Sequence, residues 1–153
     1  MATTPDPGEL AVHLLVVSAR FTRLAARETP SAIPRALWRA LAQLEELGPT
    51  RVSDLAAADR VSQPTATTLV QKLVERGWAE RCTDPRDARA VRVTITDGGR
   101  SVLAESRIAA AAALAPRLRR LDPGVLQTLE EGVEALRLVL EADEPIESSE
   151  DTA

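Results

Sequence analysis

Ser62, Gln63, Thr65, Thr67, Thr68, Gln71 and Lys72 crowd a short polar stretch in the middle of the chain. Ser62 precedes Gln63-Pro64 as an N-cap precedes a first-turn proline, so the stretch reads as one helix over 63–76, closed by Gly77. Ala66, Leu69, Val70, Leu73 and Val74 recur at helical spacing and form its buried face, which leaves the polar set opposite. Hydroxyls and amides of this size can hydrogen-bond base edges or phosphates without steric excess, and a helix N-terminus itself attracts phosphate. A lone helix face of this kind is more often simply solvated, so the helix does not decide the matter.

A second set follows it. Asp84-Pro85-Arg86-Asp87-Ala88-Arg89-Ala90 reads as the polar tip of a hairpin between strands at 78–83 and 91–96. In the second strand Val91, Val93 and Ile95 alternate with Arg92, Thr94 and Thr96. An arginine at such a tip suits the minor groove, whose narrow stretches concentrate negative potential. Asp84 and Asp87 would oppose phosphate unless they orient the arginines. In one arrangement Arg89 pairs with Asp84 or Asp87 across the turn, and Arg86 is left to reach the groove. The bland alternative is a solvated turn whose ion pairs contribute almost nothing. Polar helix and basic hairpin in this order carry more weight than either alone.

The remaining sequence supplies the elements that position these two sets. Residues 1–8 read as a frayed leader, after which Leu10, Leu14, Val17, Phe21 and Leu24 recur at steps of three and four. That spacing predicts a first helix with one apolar stripe and with Arg20, Arg23 and Arg27 directed elsewhere. A second helix starts near Pro34, buries Leu37, Trp38, Leu41 and Leu44, and stops at Gly48-Pro49. Thr50-Arg51-Val52 reads as extended, Ser53 as the cap of a short helix over 54–59 with Leu55 and Ala56 on its apolar side, and Val61-Ser62 as the turn. After the hairpin, Thr96 or Asp97 caps a long helix that Pro116 kinks or ends. Asp122-Pro123 opens a last helix in which Leu126, Leu129, Val133, Leu136 and Leu140 repeat at alternating steps of three and four.

Helix, turn, helix and hairpin in this order define a winged helix-turn-helix. The expected fold class is mainly α with a small β-hairpin wing (α+β), the winged helix-turn-helix occupying 49–96. A compact unit of that kind leaves little internal core for the flanking amphipathic helices. Residues 9–48 and 97–142 are therefore expected to form a helical dimerisation region, and 143–153 an acidic disordered tail.

With 153 residues, 44% of them apolar and 27% charged, the chain suits one soluble globular domain. Aromatic residues are only 2%, so Leu, Val and Ala must build the core, which favours helices. The net charge of −4 is unevenly placed. Residues 1–50 are neutral, 51–100 carry +2 and 101–153 carry −6, with Glu141, Asp143, Glu144, Glu147, Glu150 and Asp151 crowding the end. Phosphate contact must then depend on local patches. Cys82 is the single cysteine and His13 the single histidine, which excludes an internal disulfide and the usual nitrogen and sulfur zinc sites. No nucleophilic triad is available that does not rest on His13 alone, and no phosphate-cradling glycine loop is present. Neither an enzyme, nor a metal, nor a cofactor is expected. The sequence shows no secretion signal and no membrane-spanning run, so a reducing cytoplasm is the expected compartment. Cys82 reads as a small half-buried strand residue, not as an oxidant sensor. His13 and Trp38 are candidates to line an effector pocket, with a solvated helix histidine as the equal alternative.

Several stretches together resemble the MarR (multiple antibiotic resistance regulator) family. They are Val52-Ser53-Asp54-Leu55-Ala56, Val61-Ser62-Gln63-Pro64-Thr65-Ala66-Thr67, Leu69-Val70-Gln71-Lys72-Leu73, Glu75-Arg76-Gly77, Asp84-Pro85-Arg86-Asp87-Ala88-Arg89 and Val93-Thr94-Ile95-Thr96-Asp97-Gly98-Gly99. The most specific of them is the hairpin with its two Asp-Arg spacings, followed by strand, Thr and Gly. The resemblance covers about residues 30–105 by motif and the flanking helices by arrangement. It implies a homodimer that binds a pseudo-palindromic operator in double-stranded DNA, usually as a repressor relieved by a small-molecule effector or redox signal. Matched residue by residue, Ser62, Gln63, Thr65, Thr67, Thr68, Gln71 and Lys72 fall on the recognition helix, and Arg86 and Arg89 on the wing. The alternative from another class is a winged-helix module that binds protein, which would more readily present an apolar patch where this chain presents hydroxyls and amides.

Overall fold

Asp6 and Pro7 open the first helix: the Asp6 carboxylate accepts the Glu9 amide at 2.9 Å, and Pro7 sits where its missing N–H is no loss. The computed structural model describes residues 5–29, 33–84 and 87–141, with side chains for all of these except 87–89. Among them the order is α1 (Pro7–Glu28), α2 (Arg35–Leu47), α3 (Val52–Ala58), α4 (Gln63–Glu75), β1 (Ala79–Asp84), β2 (Asp87–Ile95), α5 (Asp97–Leu118) and α6 (Pro123–Glu141). The architecture is the mainly α fold with a two-stranded hairpin that the sequence predicts. No helix among the described residues is long and apolar enough to cross a membrane.

The chain divides into two units, residues 1–113 and 114–153. In the first, one hydrophobic cluster joins Leu37, Ala40, Leu41 and Leu44 of α2, Leu55 of α3, Val70 and Leu73 of α4, Ala79, Val93 and Ile95 of the hairpin, and Leu103 of α5. Leucines spaced three and four apart on α2 and α4 are what brings those faces together. Trp38, expected inside, is half-buried against this cluster, as are Leu69 and Val74. Two ion pairs staple its outside: Arg39 to Asp59 at 2.8 Å, and Arg107 of α5 to Glu45 of α2 at 2.7 Å. The hydrogen bond that Arg39 donates to Asp59, then the charge of that carboxylate, raises the pKa of Arg39 above its ordinary value. The second unit holds the end of α5 and α6. Asp122 accepts the Gly124 amide at 2.8 Å, the cap expected there, and no residue of α6 is buried.

Several local expectations need correction. Residues 7 and 8 belong to α1, because the same Asp-Pro signal that opens α6 also stands at Asp6-Pro7. Ser53 does not cap α3. The helix begins two residues earlier, at Val52, with Arg51 as its N-cap, and the Ser53 hydroxyl turns to the Asp54 carboxylate at 3.2 Å. Strand β2 begins at Asp87, so part of the stretch expected as a loose tip is strand, with Asp84 paired to Asp87 and a register shift beside it. Val91 is 52% exposed, since it pairs with Thr83 at the end of the hairpin where the core has run out. Pro116 lies inside α5, which ends two residues later at Leu118. Residues 143–153, expected as an acidic disordered tail, lie outside the described residues.

Candidate nucleic-acid interface

Helix α4 is held by its apolar face, with Ala66, Val70 and Leu73 buried. Ser62 is its N-cap, the hydroxyl accepting the Thr65 amide at 3.3 Å and lying 2.8 Å from the Thr65 hydroxyl. Arg60 approaches this start in the left-handed region at φ 51°, uncommon for a residue with a side chain, and closes the turn between α3 and α4. Ser62, Gln63, Thr65, Thr67, Thr68, Gln71 and Lys72 are all exposed. The structure therefore brings the seven predicted residues together on one solvent-facing surface.

Their hydrogen bonding narrows what they can read. Thr67 donates to the Gln63 carbonyl at 2.9 Å and Thr68 to the Pro64 carbonyl at 3.0 Å. A hydroxyl whose proton is spent on its own helix still accepts, and its methyl group stays outward. In that state it suits amino-group donors of adenine or cytosine and the thymine methyl better than guanine acceptors. The Gln71 amide donates to Glu75 at 3.1 Å, so reaching a base requires it to release that contact. Lys72 is the cation of the face, and Arg76 stands over the Trp78 ring at 5.6 Å as the helix ends.

The hairpin is joined to α4 by a tight corner. Gly77 takes φ 70°, and Thr96 closes the base by donating to the Gly77 carbonyl at 2.6 Å and accepting the Gly99 amide at 3.1 Å. Thr96, not Asp97, is thus the cap of α5. A Cβ at Gly99 would collide with the Trp78 carbonyl oxygen, so glycine is what lets α5 start against the root of the hairpin.

Of the predicted wing residues, Asp84 is buried, its side chain 1% exposed. Arg92 Nε lies 2.8 Å from Asp84 Oδ2, and Arg51 Nη2 lies 3.3 Å from the same oxygen. The Arg92 contact is ionic but poorly aligned for a hydrogen bond. Arg86 lies outside the described residues, as do the side chains of Asp87 and Arg89. Arg51 and Arg92 were not among the predicted site residues. Arg92 was within reach of sequence reasoning once the register is known. It pairs with Cys82 and is a diagonal neighbour of Asp84 on one face of the hairpin. Arg51 is 33 residues from Asp84, and no local periodicity announces such a contact.

The other expectations are placed apart. Cys82 is half-buried on β1. His13 is exposed on α1 and Trp38 is half-buried on α2. Neither lines the hollow along α1 formed by Val17, Arg20, Phe21, Arg23, Leu24 and Arg27. Neither lines the polar hollow between Pro49, Thr50, Arg51, Ser53, Asp54 and Arg92. Among the described residues no group of three His, Cys, Asp or Glu side chains is arranged to hold a metal ion.

Comparison with known proteins places this geometry in context. The family model described as the MarR family matches residues 33–91. An uncharacterized HTH-type transcriptional regulator of Mycobacterium bovis, Mb0904, is 30% identical over 114 residues, covering 74% of this chain and 80% of that protein. The uncharacterized HTH-type transcriptional regulator YpoP of Bacillus subtilis is 37% identical over 60 residues, 39% of this chain and 43% of that protein. Among solved structures, apo MarR from E. coli superposes with a TM-score of 0.62 at 24% identity, over 88% of this chain and 98% of that one. A mutant of the same protein in complex with operator DNA gives a TM-score of 0.55 at 23% identity, over 86% and 99%.

Proposed function

The chain belongs to the MarR family, and from that premise we propose that it is a transcription regulator that binds double-stranded DNA as a homodimer. The observation that carries this reading is the exposed face of α4, where seven hydroxyl, amide and ammonium side chains stand clear of the core, followed at once by a hairpin. In this reading α4 enters the major groove with Ser62, Gln63, Thr65, Thr67, Thr68, Gln71 and Lys72 toward bases and phosphates. The hairpin brings Arg86 and Arg89 to the neighbouring minor groove, with Asp84 and Asp87 as their supports. That the E. coli relative is found in complex with operator DNA supports the DNA-binding part of this reading. The chain is read as a regulator and not as an enzyme.

The dimer is part of the proposal. Residues 9–48 and 97–142 serve as the dimerisation region, 49–96 as the DNA-binding region, and 143–153 as an acidic tail. Support comes from α1 and α6, neither of which buries a residue although both are amphipathic. A twofold dimer reads an inverted repeat with half-site centres roughly 10 base pairs apart. Repression of the neighbouring gene, relieved by a small effector, is the regulatory sense we assign.

The experiment is a gel shift with the DNA upstream of the chain's own gene, followed by footprinting and a salt titration. Retardation at low salt, with a protected inverted repeat, is the expected result. Loss of Lys72 should flatten the slope of log K against log salt by about 1, the signature of one phosphate contact. No retardation at low salt would favour a protein-binding module instead.

A further inference from the structure

Three links tie the hairpin to the segment that precedes α3. Thr50 and Val93 exchange backbone hydrogen bonds at 3.0 and 2.8 Å. Arg92 donates to the Pro49 carbonyl at 3.2 Å. The third link lies furthest along the hairpin, where Arg51 reaches Asp84, the last residue of β1. The first two fix the root and middle of β2. Among the described residues the third is the link from that segment that reaches the end of β1, next to the stretch that in the proposed function meets the minor groove.

The charges make this link directional. A buried carboxylate is costly without cationic partners, and stripping one partner from such a site strains it. Asp84 is nearly fully buried and sits between one arginine from within the hairpin and one from outside it. Arg92 travels with the hairpin however it is angled. Arg51 belongs to the N-cap of α3, and α3 packs on α2 and α4 through the common core. The bond from Arg51 to Asp84 thus refers the angle of the hairpin to the frame that carries α4.

We infer that Arg51 is a positioning residue for the hairpin: through buried Asp84 it sets the pitch at which the hairpin end meets the minor groove while α4 occupies the major groove. The inference rests on the DNA-binding reading above. It differs from a direct role for Arg51, whose half-exposed guanidinium is also free to touch a phosphate. A direct contact would leave the geometry of the hairpin alone. A positioning role changes what the hairpin touches without touching DNA itself.

The test uses full-length protein on the footprinted operator and compares wild type, Arg51→Gln and Arg51→Lys. Dimethyl sulfate reads guanine N7 in the major groove, and hydroxyl radicals read sugars exposed along the minor groove. With Arg51→Gln the expected affinity falls roughly tenfold, on the scale of one lost specific contact. At saturating protein, major-groove protection persists while protection of the adjoining minor groove is lost. Arg51→Lys, which keeps the charge, restores minor-groove protection at least in part. The melting temperature of Arg51→Gln stays within a few degrees of wild type, since Asp84 keeps Arg92. Full protection of both grooves by saturating Arg51→Gln, or affinity equal to wild type, overturns the positioning role. So does a large drop in melting temperature, which would make Arg51 a fold residue. If wild type protects neither groove, the DNA-binding reading falls and the positioning role falls with it.

Discussion

Two parts of the molecule carry the same amphipathic code and use it differently. On α2, leucines at steps of three and four end fully buried: Leu41 and Leu44 are 0% exposed. On α6 the same spacing leaves Leu129 48% and Val133 56% exposed, and on α1 Val17 and Phe21 are 63% and 50% exposed. Periodicity therefore predicts which face of a helix is apolar but not what covers it. The core that joins α2, α3, α4, the hairpin and the start of α5 closes on itself because these elements surround one cluster from several sides. The terminal helices present stripes larger than isolated exposed residues, the kind of surface that marks a protein interface.

The sharpest way to break this comparison is to truncate one leucine from each part. Leu41→Ala should cost about 2–5 kcal/mol by leaving a cavity in a packed interior. Urea denaturation at a single high protein concentration checks it. Leu129→Ala should behave differently: its cost in the dimer should appear as a midpoint that depends on protein concentration, because association stabilises by mass action. Replacing Leu129 and Val133 together with Glu should give a folded monomer by sedimentation, with affinity for the inverted repeat lost. A double variant that remains dimeric would place the interface elsewhere.

A smaller effect sharpens the boundary between the two parts. Gly99→Ala should destabilise by about 1–3 kcal/mol, the range for overpacking, because the methyl group would meet the Trp78 carbonyl and crowd Ile95 at 2.8 Å. Thermal melting of the variant against wild type measures it. An unchanged melting temperature would mean that α5 can shift away from the hairpin root without loss.

Much of the fold was legible because it is written in local signals. Asp122-Pro123, Ser62 with Pro64, and Gly77 mark element ends by chemistry that acts within four residues. The leucine spacing of α2 and α4 named most of the core. The failures share a different origin. Ser53 has the right residue type for a cap, but the helix begins at Val52, and nothing within the local sequence separates these registers. Strand β2 starts in a stretch whose composition reads as turn because its partner on β1 supplies the missing pairing. In the candidate site the exposed face of α4 was readable from periodicity, and the acid at Asp84 from its neighbours. The arginine that comes to it from before α3 was not, because that contact exists only once the hairpin is folded onto Thr50.

The smallest expected effect bears on how α4 is held within the self-sufficient region. Ser62 is exposed, yet its hydroxyl satisfies the Thr65 amide at the start of α4, where four amides lack helical partners. Ser62→Ala should therefore cost about 1 kcal/mol of stability through the lost cap. Ser62→Asp keeps an acceptor and should hold that stability, but it adds a negative charge where phosphate is expected. The two variants separate the duties of the residue: if Ser62 only caps, Asp restores operator affinity together with melting temperature. If the α4 N-terminus faces phosphate as proposed, Asp restores melting temperature and weakens binding further than Ala does. Anisotropy titrations beside melting curves distinguish these outcomes. The second one would tie the orientation of α4 to a single side chain whose structural and functional effects run in opposite directions.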